Sequence, residues 1–379
     1  NAGKAFVGSY VLGMGFTFDD AAAAKGTASS LAEMERLIAK DPRNAERIFP
    51  YIGGEEVNND PRHAHRRYVI DFGDMPLRRE EQPRGWSQLT ADEQAKAKRD
   101  GVVPHDYPEP VAEDWPDLID IVRRLVKPQR EKLKGNPDAE RRRKNWWKWG
   151  RITPAFDVAR KSGREIIATS RVSPHLSISI TSNNLVFAET TVAVCSANIT
   201  NFIIIQSRPH EVWTRFFAST LEDRLRYTPS DCFETFPFPA NFQSDQTLES
   251  AGQAYHDHRA ALMAARNEGL TKTYNRFHDA DDNAPDIVRL RELHDAMDQA
   301  VLRAYGWADL IPLAVPVHLD DSNEDDHKYQ GRYFWPADVR DEVLARLLAL
   351  NAERAAQEKM LGISPEKRVY GADEDDEED

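Results

Sequence analysis

Cysteine is nearly absent. The 379 residues contain only Cys195 and Cys232, too few for a disulfide scaffold or a four-cysteine zinc site, and suited to a reducing cytoplasm as two small buried side chains. No stretch of about eighteen apolar residues is available to cross a bilayer as a helix, so nothing points to a membrane. Chemical signatures are missing too. The turn LGMGF, with Gly13 and Gly15, lacks the order of strand, glycine-rich loop, helix and acid that a nucleotide or S-adenosylmethionine loop requires, and reads as a tight strand or bulge. In HAHRR, His63 and His65 have no nearby set of carboxylates or thiols with which to hold a metal. No acid-and-lysine nuclease set, nucleophile elbow or Asn-Pro-Pro-aromatic motif for a flipped base is found. The opening residues carry neither an initiator Met nor a signal-peptide order, and they read as part of a longer protein.

Positive charge is also in deficit, with a net charge of -13, which by itself opposes a phosphate-rich partner. The deficit is local. Five acids fall in Asp320–Asp326 and seven in Asp373–Asp379, both expected as solvated loop and tail. Arg123 to Arg151 instead holds twelve Lys or Arg against Glu131, Asp138 and Glu140. Inside it, RRRKNWWKWGR interleaves Arg141, Arg142, Arg143, Lys144, Lys148 and Arg151 with Trp146, Trp147 and Trp149. That mixture suits phosphate contact with aromatic rings packed behind the cations or stacked on sugar and base. Equally, two of the three tryptophans are expected to fill core while the cations meet water.

The hydrophobic periodicity predicts an α+β fold. Strands are expected within Phe6–Phe18 and Arg66–Phe72, with a serine-capped helix over SSLAEMERLIAK between them. Residues 75–110 read as an insertion loop holding one short helix from Ala91 to Arg99. Leu118, Ile121, Val122 and Leu125 share one face of a helix whose other face is basic. From Glu165 to Ser196 the period drops to two, which predicts a small antiparallel sheet. Beyond Pro239 the spacing is helical over Leu248–Arg266, Ile287–Tyr305 and Val339–Glu358. The expected divisions are 1–239, a helical region at 240–358 and an acidic disordered tail at 359–379.

One run, FIIIQSRPHEVWTRFFASTLEDRLRYTPSDCFETFPFP (Phe202–Pro239), resembles the segment that closes the target recognition domain of large adenine-N6 DNA methyltransferases in Type IIG and IIL restriction-modification enzymes, the MmeI kind. IFPYIGGEEVN, the Trp-Trp block, IATSRVSPHLSISI, EGLTKTYNRFHD, LRELHDAMDQAVLRAYGW and WPADVRDEVLARLLALNAER resemble further blocks of that family in the same order. Phage-defence methylases share this C-terminal architecture.

The resemblance implies a reader of double-stranded DNA. The catalytic domain and its S-adenosylmethionine site, which no residue here would form, are implied to lie upstream, with any nuclease further upstream still. Base readout is implied for Arg171, Ser173, His175 and Ser177, after the strand ending in Arg-Val-Ser, although His175 and Ser177 stand where a familiar acid and arginine pair is found in the restriction enzymes. Arg226 joins the six cations of Arg141–Arg151 as a backbone contact, while Phe233, Phe236 and Phe238 anchor the exit of the domain. Other readings stay open. Ser177 and Ser179 also fit the wet face of an edge strand, Arg171 also fits a tie to Glu189, and the basic helix also fits an assembly module binding an acidic protein. An autonomous enzyme is disfavoured by the missing catalytic constellation.

Overall fold

The structure, a computed structural model, describes residues 1–362 except Ala2, Ile152, Ser219, Glu222 and Asp223. The acidic run at 373–379 lies outside the described residues.

The aromatic and β-branched opening gives β1 (Ala5–Val7) and β2 (Thr17–Phe18). Asp19 caps the short α1 (Asp20–Ala23), and Ser30 caps α2 (Leu31–Lys40) by accepting from Glu33 N. β3 (Ile48–Ile52) then runs through two glycines into α3 (Gly54–Asn59), and β4 (Arg67–Ile70) returns beside it. The stretch read as an insertion loop is more ordered than expected. Its helix α4 (Ala91–Asp100) has a Thr90–Glu93 capping box, and its flanks β5 (Arg78–Glu80) and β6 (Val102–Pro104) pair in parallel. A small cluster of Val103, Tyr107 and Val111 lies within it.

The basic segment follows as α5 (Pro116–Leu125), α6 (Lys127–Glu131) and α7 (Pro137–Lys144), and α8 (Pro154–Ala159) comes after the tryptophans. Each starts with proline in its first two positions, where the missing N–H costs nothing and φ is already helical.

The antiparallel sheet forms from β7 (Glu165–Ser170), β9 (Ile178–Ser182) and β11 (Thr191–Val194), with β1 added at its edge in the order β1-β11-β7-β9. Two of the expected strands leave it. β8 (Val172–Ser173) pairs instead with β13 (Arg224–Arg226) of a hairpin whose other arm is β12 (Thr220–Leu221). β10 (Val186–Phe187) crosses to pair in parallel with β3, in the order β10-β3-β4-β2. The reason is burial on both faces, the habit of parallel strands. Phe187 packs into one core, while Val186 and Ala188 pack into the other, so β10 is the seam between them.

The first core lies under the β1-β11-β7-β9 sheet. It is shared with α9 (Ile199–Gln206), α10 (Arg208–Phe217), α11 (Gln246–Arg266), α12 (Leu270–His278), α13 (Pro285–Ala304) and α14 (Ala337–Met360). A two-stranded ribbon of β14 (Val317–Leu319) and β15 (Arg332–Phe334) precedes α14. Polar ties cross this core. Arg208 Nη1 donates to Asp298 Oδ2 at 2.6 Å and to Asp295 Oδ1 at 2.7 Å, so a guanidinium occupies the space among His294, Asp295 and Asp298, the group of potential metal ligands found among the described residues. The acidic loop Asp320–Asp326 is not wholly solvated as expected. Glu324 is buried and paired with Arg340, because the loop folds back onto α14.

The second core, under β10-β3-β4-β2, is filled by α2, α5 and the Trp-Trp block. All three tryptophans are buried, not two. The indole N–H groups of Trp147 and Trp149 donate to Met75 O and Ile70 O.

Candidate functional site

A cleft of about 1010 Å³ opens where the two cores meet. Its walls come from the loop after β1, the β3–α3 turn, the β7–β8 step, the β10–β11 turn and β13. The local chemistry makes this meeting rigid. Gly53 N donates to Glu56 Oε2 at 2.9 Å and Gly54 N to Thr190 Oγ1 at 3.0 Å. A side chain at Gly54 would strike Ser170 Oγ at 2.6 Å, so the two glycines allow the turn to lie against the sheet.

Four guanidinium groups line the cleft, those of Arg67, Arg171, Arg224 and Arg226. Arg67 is neutralised by Glu56 in a two-pronged pair at 2.6 and 2.7 Å. For the other three, no acid lies within ion-pair distance among the described residues. The backbone of Arg171 is pinned on both sides, its N–H donating to Thr190 O and its carbonyl accepting from Tyr227 N, each at 2.8 Å. Its Nη1 donates to Tyr10 Oη at 3.1 Å, leaving further guanidinium donors for a ligand. Arg226 sits opposite Val172 in the β13–β8 ladder, so the neighbouring strands carry Arg171 and Arg226 into one cleft. Glu189 faces them. Burial raises its carboxyl pKa, and its Oε2 has no partner among the described residues.

The residues expected to read bases therefore separate. Arg171 lines the cleft, and instead of the ion pair with Glu189 that stayed open as an alternative its guanidinium bonds Tyr10, with Glu189 near enough to feel its charge. Ser173, His175 and Ser177 are buried beneath it. Ser177 and Ser179 do not form a wet edge: both are buried, and Gln206 of α9 and Arg259 of α11 bond the outer N–H and carbonyl of Ile178 between them, while Ser177 O accepts from Thr169 Oγ1 and Ser179 Oγ donates to Ala168 O. His175 is pushed down to about pKa 4 by burial and by the neighbouring Arg332 charge. Its Nε2 lies 2.7 Å from Asn275 Oδ1, its Nδ1 lies 3.3 Å from Arg332 Nη1, and its ring stacks on His278.

The cations expected on the backbone also differ in availability. Arg141 and Arg142 share Asp138, Lys144 pairs with Asp100 and Lys148 with Asp74. Arg143 and Arg151 are exposed without an acidic partner among the described residues, Arg151 standing over the Tyr10 ring at 5.3 Å. Arg130, counted in the basic segment, is not a surface cation at all. It is 3% exposed and donates to the carbonyls of Asn145, Trp146 and Lys148 from one nitrogen and to those of Val11 and Leu12, both at 3.2 Å, from another. Nothing in the sequence marks this role, because a basic helix face looks the same whichever of its arginines turns inward. Arg67, Arg224, Glu189 and the apolar pair Leu12 and Met14 were likewise unforeseen as cleft residues. They come from strands β4 and β13, the β10–β11 turn and the segment after β1, which only the fold brings together.

Residues 125–240 match the family model described as MmeI, target recognition domain. Among solved structures, that of the Type IIL restriction-modification enzyme MmeI in complex with DNA aligns with a TM-score of 0.56 and 17% identity, over 93% of this chain and 36% of the other. This chain thus spans little more than a third of the length of that relative. No curated protein matches. Over residues 125–240 the chain is thus similar to the MmeI target recognition domain, and it shares the fold of the corresponding part of that enzyme.

Proposed function

We propose that this chain is the sequence-specific DNA recognition module of a bacterial adenine-N6 DNA methyltransferase of the restriction-modification or phage-defence kind. The reading places the catalytic domain, with its S-adenosylmethionine, upstream in the parent protein, where it packs against this chain. One observation carries it. Arg171, Arg224 and Arg226, within the matched segment, converge in one cleft without acidic partners among the described residues.

Arginine is suited to both halves of DNA recognition. Its fork pairs bidentately with guanine O6 and N7, each such contact discriminating by about 1–3 kcal/mol, and it also meets phosphate. Arg171, with its backbone pinned, is the candidate base reader. Arg226 and the exposed cations of α7 and Arg151 supply the sequence-independent attraction. Ser173, His175 and Ser177 act from beneath, holding β8 and the β8–β9 turn that follow Arg171. The net negative charge does not oppose this, because the acids are concentrated in other segments.

The test is a salt titration of duplex binding together with a selection from randomised duplexes. Wild type is expected to bind with a steep salt dependence and a preferred sequence. Arg171→Ala should lose the preference at one base position and keep its affinity for other DNA. Replacing Arg141, Arg142, Arg143 and Lys144 together should weaken binding to every duplex, flattening the log–log salt slope by about 0.9 for each phosphate that is no longer neutralised. Salt-dependent binding with no preferred sequence would defeat the proposal in favour of an assembly module that takes an acidic protein.

A further inference from the structure

At the mouth of the cleft two apolar side chains face solvent where polar ones would be expected. Leu12 and Met14 are 39% and 40% exposed, and both line the cleft that holds the arginines. The loop bearing them is held unusually firmly. Leu12 has a φ of +49°, the left-handed region that a bulky residue avoids unless its surroundings impose it. Here the surroundings do impose it. Arg130 Nη2 donates to the carbonyls of Val11 and Leu12 at 3.2 Å each. The Leu12 side chain rests on Gly150, where an added Cβ would meet Leu12 Cδ1 at 2.3 Å. On the far side Thr17 Oγ1 donates to Met14 O at 2.7 Å. Gly15 lies so close to α5 that a Cβ would meet Leu125 Cβ at 2.5 Å. The whole knuckle is therefore clamped from behind, and only its apolar tip is free.

Burying these two side chains would remove them from water, yet the fold fixes them outward beside Arg171, Arg224 and Arg226. A ligand that satisfies both features must be anionic at its edges and apolar and flat between them. Duplex DNA opened at a base step has this character, with phosphates at the rim and base faces inside, and apolar wedges of this type unstack such steps. On the reading that the cleft binds DNA, we propose that Leu12 and Met14 form a wedge that enters between adjacent base pairs and unstacks one step while the arginines hold the flanking backbone. Rigidity is what the role requires, since a soft loop would fold away instead of parting the stack.

The experiment uses the 379-residue chain and the duplex it selects, with 2-aminopurine placed in turn at each adenine. Wild type should raise the fluorescence at one step by about twofold or more, the signature of lost stacking. Leu12→Ala combined with Met14→Ala should abolish that rise and weaken specific binding about tenfold, with an unchanged salt slope because the arginines are intact. Met14→Leu should keep the rise. Matching unfolding curves for wild type and the double variant show that the clamp survives. A double variant that still unstacks the step, or a wild type that binds its site with no unstacked position, overturns the wedge and leaves the DNA reading standing. Failure of wild type to bind any duplex overturns both.

Discussion

The Nε2 of His175 lies 2.7 Å from Asn275 Oδ1, a bond that joins the β8–β9 turn to helix α12 across a hundred residues of chain. With its pKa lowered to about 4, the ring is neutral near neutrality, so Nε2–H donates to Asn275 while Nδ1 accepts from Arg332. His175→Ala should therefore cost about 1–3 kcal/mol of stability, the usual penalty for leaving buried partners unmatched. Sequence preference in a selection should be retained by the folded fraction. Equal stability with an altered preference would restore His175 as a base reader.

Acid sensitivity should carry an unusual sign. Burial lowers His63 and His175 to about 4 and His210 to about 3, from an ordinary 6.5. Histidines that gain a partner charge usually rise, but these bind protons more readily unfolded than folded. Their contribution is complete above about pH 6.5 and is lost as pH falls toward 4. At about 1.4 kcal/mol per unit, His175 alone accounts for about 3 kcal/mol across that window. Urea midpoints should drop steeply from about pH 7 to about pH 5, and the drop should be shallower in His175→Gln.

Arg130→Lys should be severely destabilising despite keeping the charge. A single ammonium cannot replace a fork that reaches the carbonyls of Asn145, Trp146 and Lys148 on one side and of Val11 and Leu12 on the other. A loss of about 2–4 kcal/mol is expected from buried carbonyls left without donors. Denaturant unfolding measures it. A loss below about 0.5 kcal/mol would mean that water replaces the guanidinium there.

Gly101 ends α4 with a φ of +81°, and a Cβ there would meet Trp147 Cη2 at 2.3 Å. Gly101→Ala adds left-handed strain to a clash with a buried indole. About 2 kcal/mol or more should be lost. The change should appear as quenching or a shift of tryptophan fluorescence together with a lower melting temperature. An unchanged melting temperature would show that the 75–110 segment is loosely attached.

Local signals carried much of the fold. The Ser30 cap and the short helix over Ala91–Arg99 were readable because such signals act within a turn or two, and α11, α13 and α14 because three-to-four spacing persists through each of them; α6, α7 and α8 were not read as separate helices. Partner choice among strands was not readable. β8 and β10 look like their neighbours β7 and β9 in composition, and only the presence of β13 and β3 decides where they pair. The site divides in the same way. Arg171 and Arg226 were identifiable by type and position, whereas the burial of His175 depends on α12 and Arg332, about a hundred residues and more away in the chain.

The first core has a consequence for anyone who would exchange specificities between such proteins. Residues 125–240 contain the arginines 171, 224 and 226, but the sheet whose strand β7 leads into Arg171 is completed by β1 and packed by α11 through α14. The Leu12 and Met14 knuckle also lies outside that span. A graft limited to the matched segment would arrive without its edge strand and with Phe202, Phe236 and Phe238 stripped of their cover. The smallest transferable unit is set by where the hydrophobic contacts close, and that boundary encloses nearly the whole chain.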